Sequence, residues 1–200
     1  AQLAAKRARK KASLFDAIAY SQMGIECLEK MEQDEKIRTT LVDRRTTLGL
    51  YNLQIGHSIE AKQAVDPIID IVLRSGNDAR IAQTNTILGQ YSLFIEEDLE
   101  AAYKYLRQGI AVSERGNDLI SFSLANFWLA VAMGMNCDFE TAVECLEKVL
   151  EINIAVENVW GISSIQSHIC QVLNLQGRLK QAYEIGEQAA KLAEESGDVY

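Results

Sequence analysis

Proline is almost missing from these 200 residues, with Pro67 the only one, so little in the sequence interrupts long helices. Histidine is nearly as scarce: His57 and His168 lie far apart and neither has neighbours at ligand spacing, which leaves no motif for a metal or a general base. Cys27, Cys137, Cys145 and Cys170 fall at irregular separations without a C-x-x-C pair. Neither a zinc site nor a disulfide framework follows, and the four are expected to be free thiols acting as small buried hydrophobes. No glycine-rich phosphate loop or nucleophile elbow occurs, so the chain is read as non-catalytic, with no cofactor. No apolar run approaches the roughly 20 residues that span a bilayer. The amino terminus also lacks the apolar core of a secretory signal, so the expectation is a cytoplasmic protein without a membrane partner.

Charge is unevenly distributed. The net charge is −8, yet Lys6, Arg7, Arg9, Lys10 and Lys11 form a stretch without acids, so residues 13–200 carry −13. An acidic body repels phosphate backbones and argues against nucleic acid as a partner. The basic run reads as the solvated face of a helix or as a binding arm.

What the sequence does have is a repeat. A small residue followed twelve positions later by alanine recurs as Ala5 and Ala17, Gly49 and Ala61, Gly89 and Ala101, Ala130 and Ala142, and Cys170 and Ala182. Successive alanines are separated by 44, 40, 41 and 40 residues. A second series, Asp34, Asp78, Asp118, Asn158 and Asp198, steps by 44, 40, 40 and 40. Ser75-Gly76-Asn77-Asp78, Arg115-Gly116-Asn117-Asp118 and Ser196-Gly197-Asp198 each offer a glycine to end one helix and a short polar side chain to cap the next. Units are therefore expected at about 1–33, 34–77, 78–117, 118–157 and 158–200, in one continuous domain.

Within each unit the apolar spacing predicts two amphipathic helices. The first helices are expected at 2–12, 35–55, 78–95, 118–136 and 158–176, and the second at 14–32, 58–75, 98–115, 138–156 and 179–196. Pro67 removes the bond to the Gln63 carbonyl and is expected to bend its helix. The acidic group Glu96-Glu97-Asp98 sits at a turn, where carboxylates favour a helix start.

Leu48-Gly49, Gly56 and Ala61 in the second unit, Leu88-Gly89 and Ala101 in the third, and Gly177 and Ala182 in the last resemble the tetratricopeptide repeat family. The resemblance covers nearly the whole chain. It departs at Arg45, Asn85, Asn126 and Gln166, where the family carries an early tryptophan, in the missing closing proline, and in a unit longer than the usual 34 or so residues. It is closest to the long-helix branch attached to ATPase, nucleotide cyclase or kinase modules in bacterial signalling proteins. The stretch Arg44-Arg45-Thr46-Thr47-Leu48-Gly49 is particularly similar to arrays on cyclase and ATPase modules.

The resemblance implies an all-α fold, a right-handed superhelix of about five antiparallel helix pairs, that binds a protein or peptide partner. It also implies a concave surface lined by Asp43, Thr46, Leu50, Gln83, Thr86, Gln90, Phe127, Val131, Ser164, Ser167 and Gln171. Phe127 and Val131 would supply an apolar patch among amides and hydroxyls, unless Phe127, beside Trp128, packs between units. None of these positions is lysine or arginine, which speaks against RNA reading. Self-association that gathers attached effector domains and small-ligand sensing are the alternatives. The chain starts without methionine and stops at Asp198-Val199-Tyr200, where another first helix is due, so it is expected to be a piece of a longer protein with an open end able to form a homodimer.

If the recurring alanines sit where paired helices approach, larger side chains there must force them apart. Ala61→Leu and Ala142→Leu should each destabilise by about 1–3 kcal/mol. Thermal melts of the two variants test this, and unchanged midpoints would remove the pairing.

Overall fold

The structure, a computed structural model, describes the backbone of residues 2–196 and the side chains of residues 14–195. The expected cap Asp198, its Gly197, the small residue Ala5 and the side chains of the basic run 6–11 lie outside the described residues. The described residues are helical with short turns, and no strand occurs among them. In order the helices are α1 (Gln2–Glu29), α2 (Glu35–Gln54), α3 (Ser58–Val65), α4 (Ile69–Arg74), α5 (Asp78–Phe94), α6 (Leu99–Arg115), α7 (Leu119–Met135), α8 (Phe139–Ala155), α9 (Val159–Leu175) and α10 (Leu179–Ser196).

From α2 onward these bounds fall within two residues of those expected from the caps and the apolar spacing. The exception is α1, where a break was expected after position 12 and one helix runs through instead. Alanine, lysine, arginine and leucine surround Ser13, all strong helix formers, and no glycine, asparagine or proline supplies a stop before Gly24. Pro67 acts as expected: residues Asp66–Ile68 form a tight 3-10 turn between α3 and α4, where the missing N–H leaves the α-helical ladder open.

The turns share one construction. Gly56, Gly76, Glu97, Asn117, Cys137, Glu157 and Gly177 all have positive φ, between 51° and 77°, and follow one another at intervals of 20 or 21 residues. Such a residue ends a helix by turning the chain left-handed. The next residue then closes the preceding helix: the amides of His57, Asp118, Asp138, Asn158 and Arg178 each donate to a carbonyl five residues back at 2.9 Å. The same residue opens the following helix. Asp98 accepts from the Ala101 amide at 2.9 Å, Asp118 from Ser121 at 3.1 Å and Asp138 from Thr141 at 3.3 Å.

Three expectations about these turns change. Asn77, not Asp78, caps α5 through the Arg80 amide at 3.1 Å. Gly116 keeps a right-handed φ of −82° and Asn117 takes the left-handed place. Asn158 makes no cap bond; its Nδ2 donates instead to Asn153 Oδ1 at 2.7 Å. Asp78 is released to bond Arg115, whose Nη2 and Nε lie 2.6 and 3.0 Å from its carboxylate oxygens. The Arg115 guanidinium holds this carboxyl below the usual aspartate range, so the contact is present at neutral pH and is lost only as pH falls through that lowered pKa.

Two compact units divide at Ser121 and Phe122, and each has its own packing. In residues 1–121, α1 lies against α2, α2 pairs with α3, and α5 packs on α2, α3, α4 and α6. Ile25, Leu48 and Ala64 form a core cluster, with Ile18 and Leu41 packed on it. The close approach inferred from the small residues is present. A Cβ at Gly49 would lie 2.8 Å from Ile87 Cδ1 and 3.1 Å from the Ala61 carbonyl, and one at Gly89 would lie 2.6 Å from Leu106 Cγ. The partner of Gly89 is Ala102, fully buried, and not the half-exposed Ala101. The α5–α6 turn holds four residues, 95–98, against three in the α2–α3 turn, 55–57, and this shifts the register by one. Ion pairs join packed helices: Glu29 of α1 with Arg45 of α2, Asp43 of α2 with Arg80 of α5 at 2.5 Å, and Asp78 of α5 with Arg115 of α6.

In residues 122–200, α9 packs between α8 and α10. Ala130 and Ala142 are 1% and 0% exposed, and Leu146, Val149, Ile165, Ile169 and Leu173 are buried as well. The cysteines only partly follow expectation: Cys145 is buried and Cys170 half-buried, whereas Cys27 and Cys137 are exposed. Cys137 occupies a left-handed turn position, which projects it away from the packed faces.

Left-handed φ costs a residue with a Cβ about 1–2 kcal/mol, a penalty glycine escapes. Glu157→Gly should therefore raise stability by about 0.5–1 kcal/mol, and Gly177→Ala should lower it by about 1 kcal/mol. Denaturant melts of both variants give the test; a destabilised Glu157→Gly would mean that the turn does not carry this strain.

Candidate functional site

The eleven positions expected to face a partner fall into two groups, one in each compact unit. In residues 1–121, α2 carries Asp43, Thr46 and Leu50, and α5 carries Gln83, Thr86 and Gln90. Only part of this group reaches solvent. Asp43 is exposed but paired with Arg80, while Leu50 and Gln83 are half-buried. Thr46, Thr86 and Gln90 are 2%, 0% and 2% exposed and belong to the core, so they are corrected from surface to interior positions.

The reason lies in the setting of α5. Neighbouring helices cover it so fully that every residue from Thr84 to Gln90 is buried. The two threonines bond their own helices, and Gln90 reaches across to α3. Thr46 Oγ1 donates to the Val42 carbonyl at 2.9 Å and Thr86 Oγ1 to the Ala82 carbonyl at 2.9 Å. Gln90 Nε2 donates to Ser58 Oγ at 2.8 Å, while its Oε1 is buried without a partner. A threonine that returns its proton to its own helix looks the same in sequence as one offered to a ligand.

The group in residues 122–200 is more open. Phe127 and Val131 on α7 are half-buried, Ser164 on α9 is half-buried, and Ser167 and Gln171 on α9 are exposed. Phe127 is held edge-on by two rings: Trp128, with centroids 5.1 Å apart at 74°, and His168, at 4.7 Å and 81°. His168 is itself fixed, because its Nδ1 lies 2.8 Å from the Ser164 carbonyl. A carbonyl only accepts, so this nitrogen carries the proton and the histidine acts as a structural prop for Phe127. Ser167 Oγ donates to the Ser163 carbonyl at 2.9 Å. The structure thus brings Phe127 of α7 against His168 in the middle of α9, the helix that also carries Ser164, Ser167 and Gln171.

The remaining candidates are His57 and the acidic turn. Exposed His57 precedes α3 and makes no side-chain cap bond. Glu96 accepts from Ser92 Oγ at 2.7 Å and Asp98 caps α6, so the acidic turn serves helix ends. Among the described residues no three His, Cys, Asp or Glu side chains are grouped to hold a metal ion, and no helix is long and apolar enough to cross a membrane. A shallow hollow of about 530 Å³ opens beside the first turns of α2, lined by Asp34, Glu35, Lys36, Thr39 and Thr40. It includes none of the expected surface positions.

Sequence reasoning missed one exposed apolar segment at the α8–α9 turn. Ile154, Val156, Val159 and Trp160 are 54%, 60%, 39% and 58% exposed. The available signal was apolar residues on both sides of the Asn158 boundary, where a turn ordinarily carries polar ones.

Comparison with known proteins places the fold. No family model matches the chain, and no curated protein matches it. Solved structures do. Aspartyl phosphate phosphatase F from Bacillus subtilis is similar over 96% of this chain and 50% of its own, with a TM-score of 0.74 at 11% identity. BtubC from P. vanneervenii is similar over 96% of this chain and 78% of its own, at 0.64 and 14%. The nearly identical TPR-like repeats of a putative kinesin light chain from Podosopora anserina are similar over 96% of this chain and 92% of their own, at 0.61 and 17%. The chain therefore spans about half the length of the phosphatase. At such identities the likeness concerns the fold, which is that of tetratricopeptide-type helical repeats.

The burial difference between the two groups is measurable. Gln90→Ala removes a core side chain and strands Ser58, and should cost about 2 kcal/mol, whereas Gln171→Ala should change stability by less than about 0.5 kcal/mol. Equal effects in paired urea titrations would return Gln90 to the surface.

Proposed function

We propose that this chain is a non-catalytic protein-binding scaffold, cytoplasmic and part of a larger bacterial signalling protein, and that it engages a peptide segment through the α7 and α9 face. The single observation behind this is Phe127. Its ring is fixed by Trp128 and His168 yet only half-buried, which is the arrangement of an aromatic anchor prepared before binding. Val131 extends the apolar contact, and Ser164, Ser167 and Gln171 provide polar partners for a peptide backbone.

The bacterial signalling context is supported by the resemblance of Arg44 to Gly49 to arrays beside cyclase and ATPase modules, and by the fold shared with a phosphatase of Bacillus subtilis. A protein partner is favoured over nucleic acid because residues 13–200 carry −13.

A display library of random peptides selected on the chain tests the reading. Selected peptides should shift the NMR amide signals of Phe127, Val131 and Ser167, and Phe127→Ala should weaken them at least about tenfold, equivalent to about 1.4 kcal/mol. Peptides that bind equally well to Phe127→Ala, or that perturb only residues elsewhere, would displace the site.

A further inference from the structure

Two adjacent side chains on α9, His168 and Ser167, are fixed by their own helix as hydrogen-bond acceptors. His168 donates from Nδ1 to the Ser164 carbonyl at 2.8 Å, and a neutral imidazole with its proton there carries a bare lone pair on Nε2. Nε2 has no bond among the described residues, and it is not one of the polar atoms sealed from solvent, as Gln166 Oε1 on the same helix is. Ser167 is exposed and gives its one hydroxyl proton to the Ser163 carbonyl at 2.9 Å, so only its lone pairs face outward. Phe127 stands edge-on against His168 with ring centroids 4.7 Å apart, which places the Nε2 acceptor beside the aromatic anchor.

The surroundings hold no charge to offset one brought in. Residues 122–135 of α7 and all of α9 lack aspartate, glutamate, lysine and arginine. The helices packed on α9 are α8 and α10. Their buried residues include Cys145, Leu146 and Val149 on α8 and Ala182 and Ala189 on α10, none of them charged. Every charged side chain of α8 and α10, from Glu140 to Glu195, is exposed, and none is bonded to His168. Besides His168 the titratable groups here are the thiols of buried Cys145 and half-buried Cys170.

We infer that this face takes an uncharged peptide segment that presents a neutral N–H, from the backbone or a carboxamide, to His168 Nε2 and Ser167 Oγ beside the Phe127 ring. The inference rests on the proposed peptide-binding role and deepens it by naming the chemistry of the partner. Lone pairs repel a carboxylate. An ammonium or guanidinium would leave water for a face without a counter-charge, and that desolvation outweighs the bond gained. A neutral N–H loses less on leaving water and meets a bare acceptor. His168 thus sets the specificity, and it does so in one protonation state: a second proton turns Nε2 into a donor and charges the face, so the fit is lost on acidification.

The tautomer is tested on the free chain, with His57→Gln to leave one histidine. Nitrogen-15 shifts of the ring at about pH 8, where histidine is neutral, should show Nδ1 protonated and Nε2 bare. The reverse tautomer overturns the inference and leaves the peptide site itself standing. Binding is read with a histidine-free random-peptide library. Peptides selected at about pH 8 should carry no Asp, Glu, Lys or Arg at the residues that contact Phe127, and their Kd should rise at least about tenfold by about pH 5, across the range in which histidine gains its charge. His168→Phe keeps an aromatic edge against Phe127 and removes Nε2; with unchanged circular dichroism it should bind more weakly and with a flat pH profile. Charged contact residues, tighter binding at the lower pH, or a pH profile that survives His168→Phe each overturn the inference, even where Phe127→Ala confirms the site. A chain that selects no peptide, or peptides indifferent to Phe127→Ala, removes both readings together.

Discussion

The left-handed turn residue is what the rest of this structure depends on. Once φ becomes positive at Gly56, Glu97, Asn117, Cys137, Glu157 or Gly177, the following amide is aimed back at the helix just finished. Where that following residue is Asp98, Asp118 or Asp138, its side chain already serves the helix about to start. One dipeptide thus satisfies backbone groups at two helix ends, which otherwise remain orphaned in pairs of four. Recurrence every 20 or 21 residues fixes helix length, and equal lengths let small residues such as Gly49 and Ala61 come opposite one another.

This constraint explains why so much of the fold was legible in sequence. Helix boundaries from α2 to α10 are written in local chemistry, a short polar residue after a turn, and a local signal needs no knowledge of neighbours. The turn position itself was harder to read. Glycine takes it at 56, 76 and 177, but glutamate, asparagine and cysteine take it elsewhere, and Gly116 sits one place too early. Glycine content points toward a reversal, while the bonds of the next amide decide which residue turns. The Ala101 register slipped for a related reason: one added residue in the 95–98 turn is invisible to a spacing rule that averages over the chain.

The candidate surface was less legible because amphipathic position is a property of a helix within its surroundings. Carrying first-helix positions along the repeat assumes that every first helix has the same free face. α5 does not, being enclosed on several sides, so Thr86 and Gln90 become interior groups, Thr86 bonding its own helix and Gln90 bonding Ser58 on α3. The unit of residues 122–200 kept more of the expected arrangement, and His168, which carried no motif, proved to matter through its ring contact. Nothing in a single sequence distinguishes a histidine that props an aromatic from one that faces water.

Position, finally, separates Phe127 from its counterparts. Forty or forty-one residues away on either side the repeat places Thr86 and Ser167, both small hydroxyls. A small residue at this place can be buried, as Thr86 is, or can bond its own helix, as Ser167 does through the Ser163 carbonyl. Phenylalanine can do neither without help, and the edge contacts with Trp128 and His168 fix its ring without covering it. A side chain of that size left half-exposed retains hydrophobic free energy that folding has not used, on the order of 1 kcal/mol for the uncovered part. That energy is available only to a second surface that covers the ring, and the hydroxyls and amide of α9 beside it favour a surface with polar groups of its own.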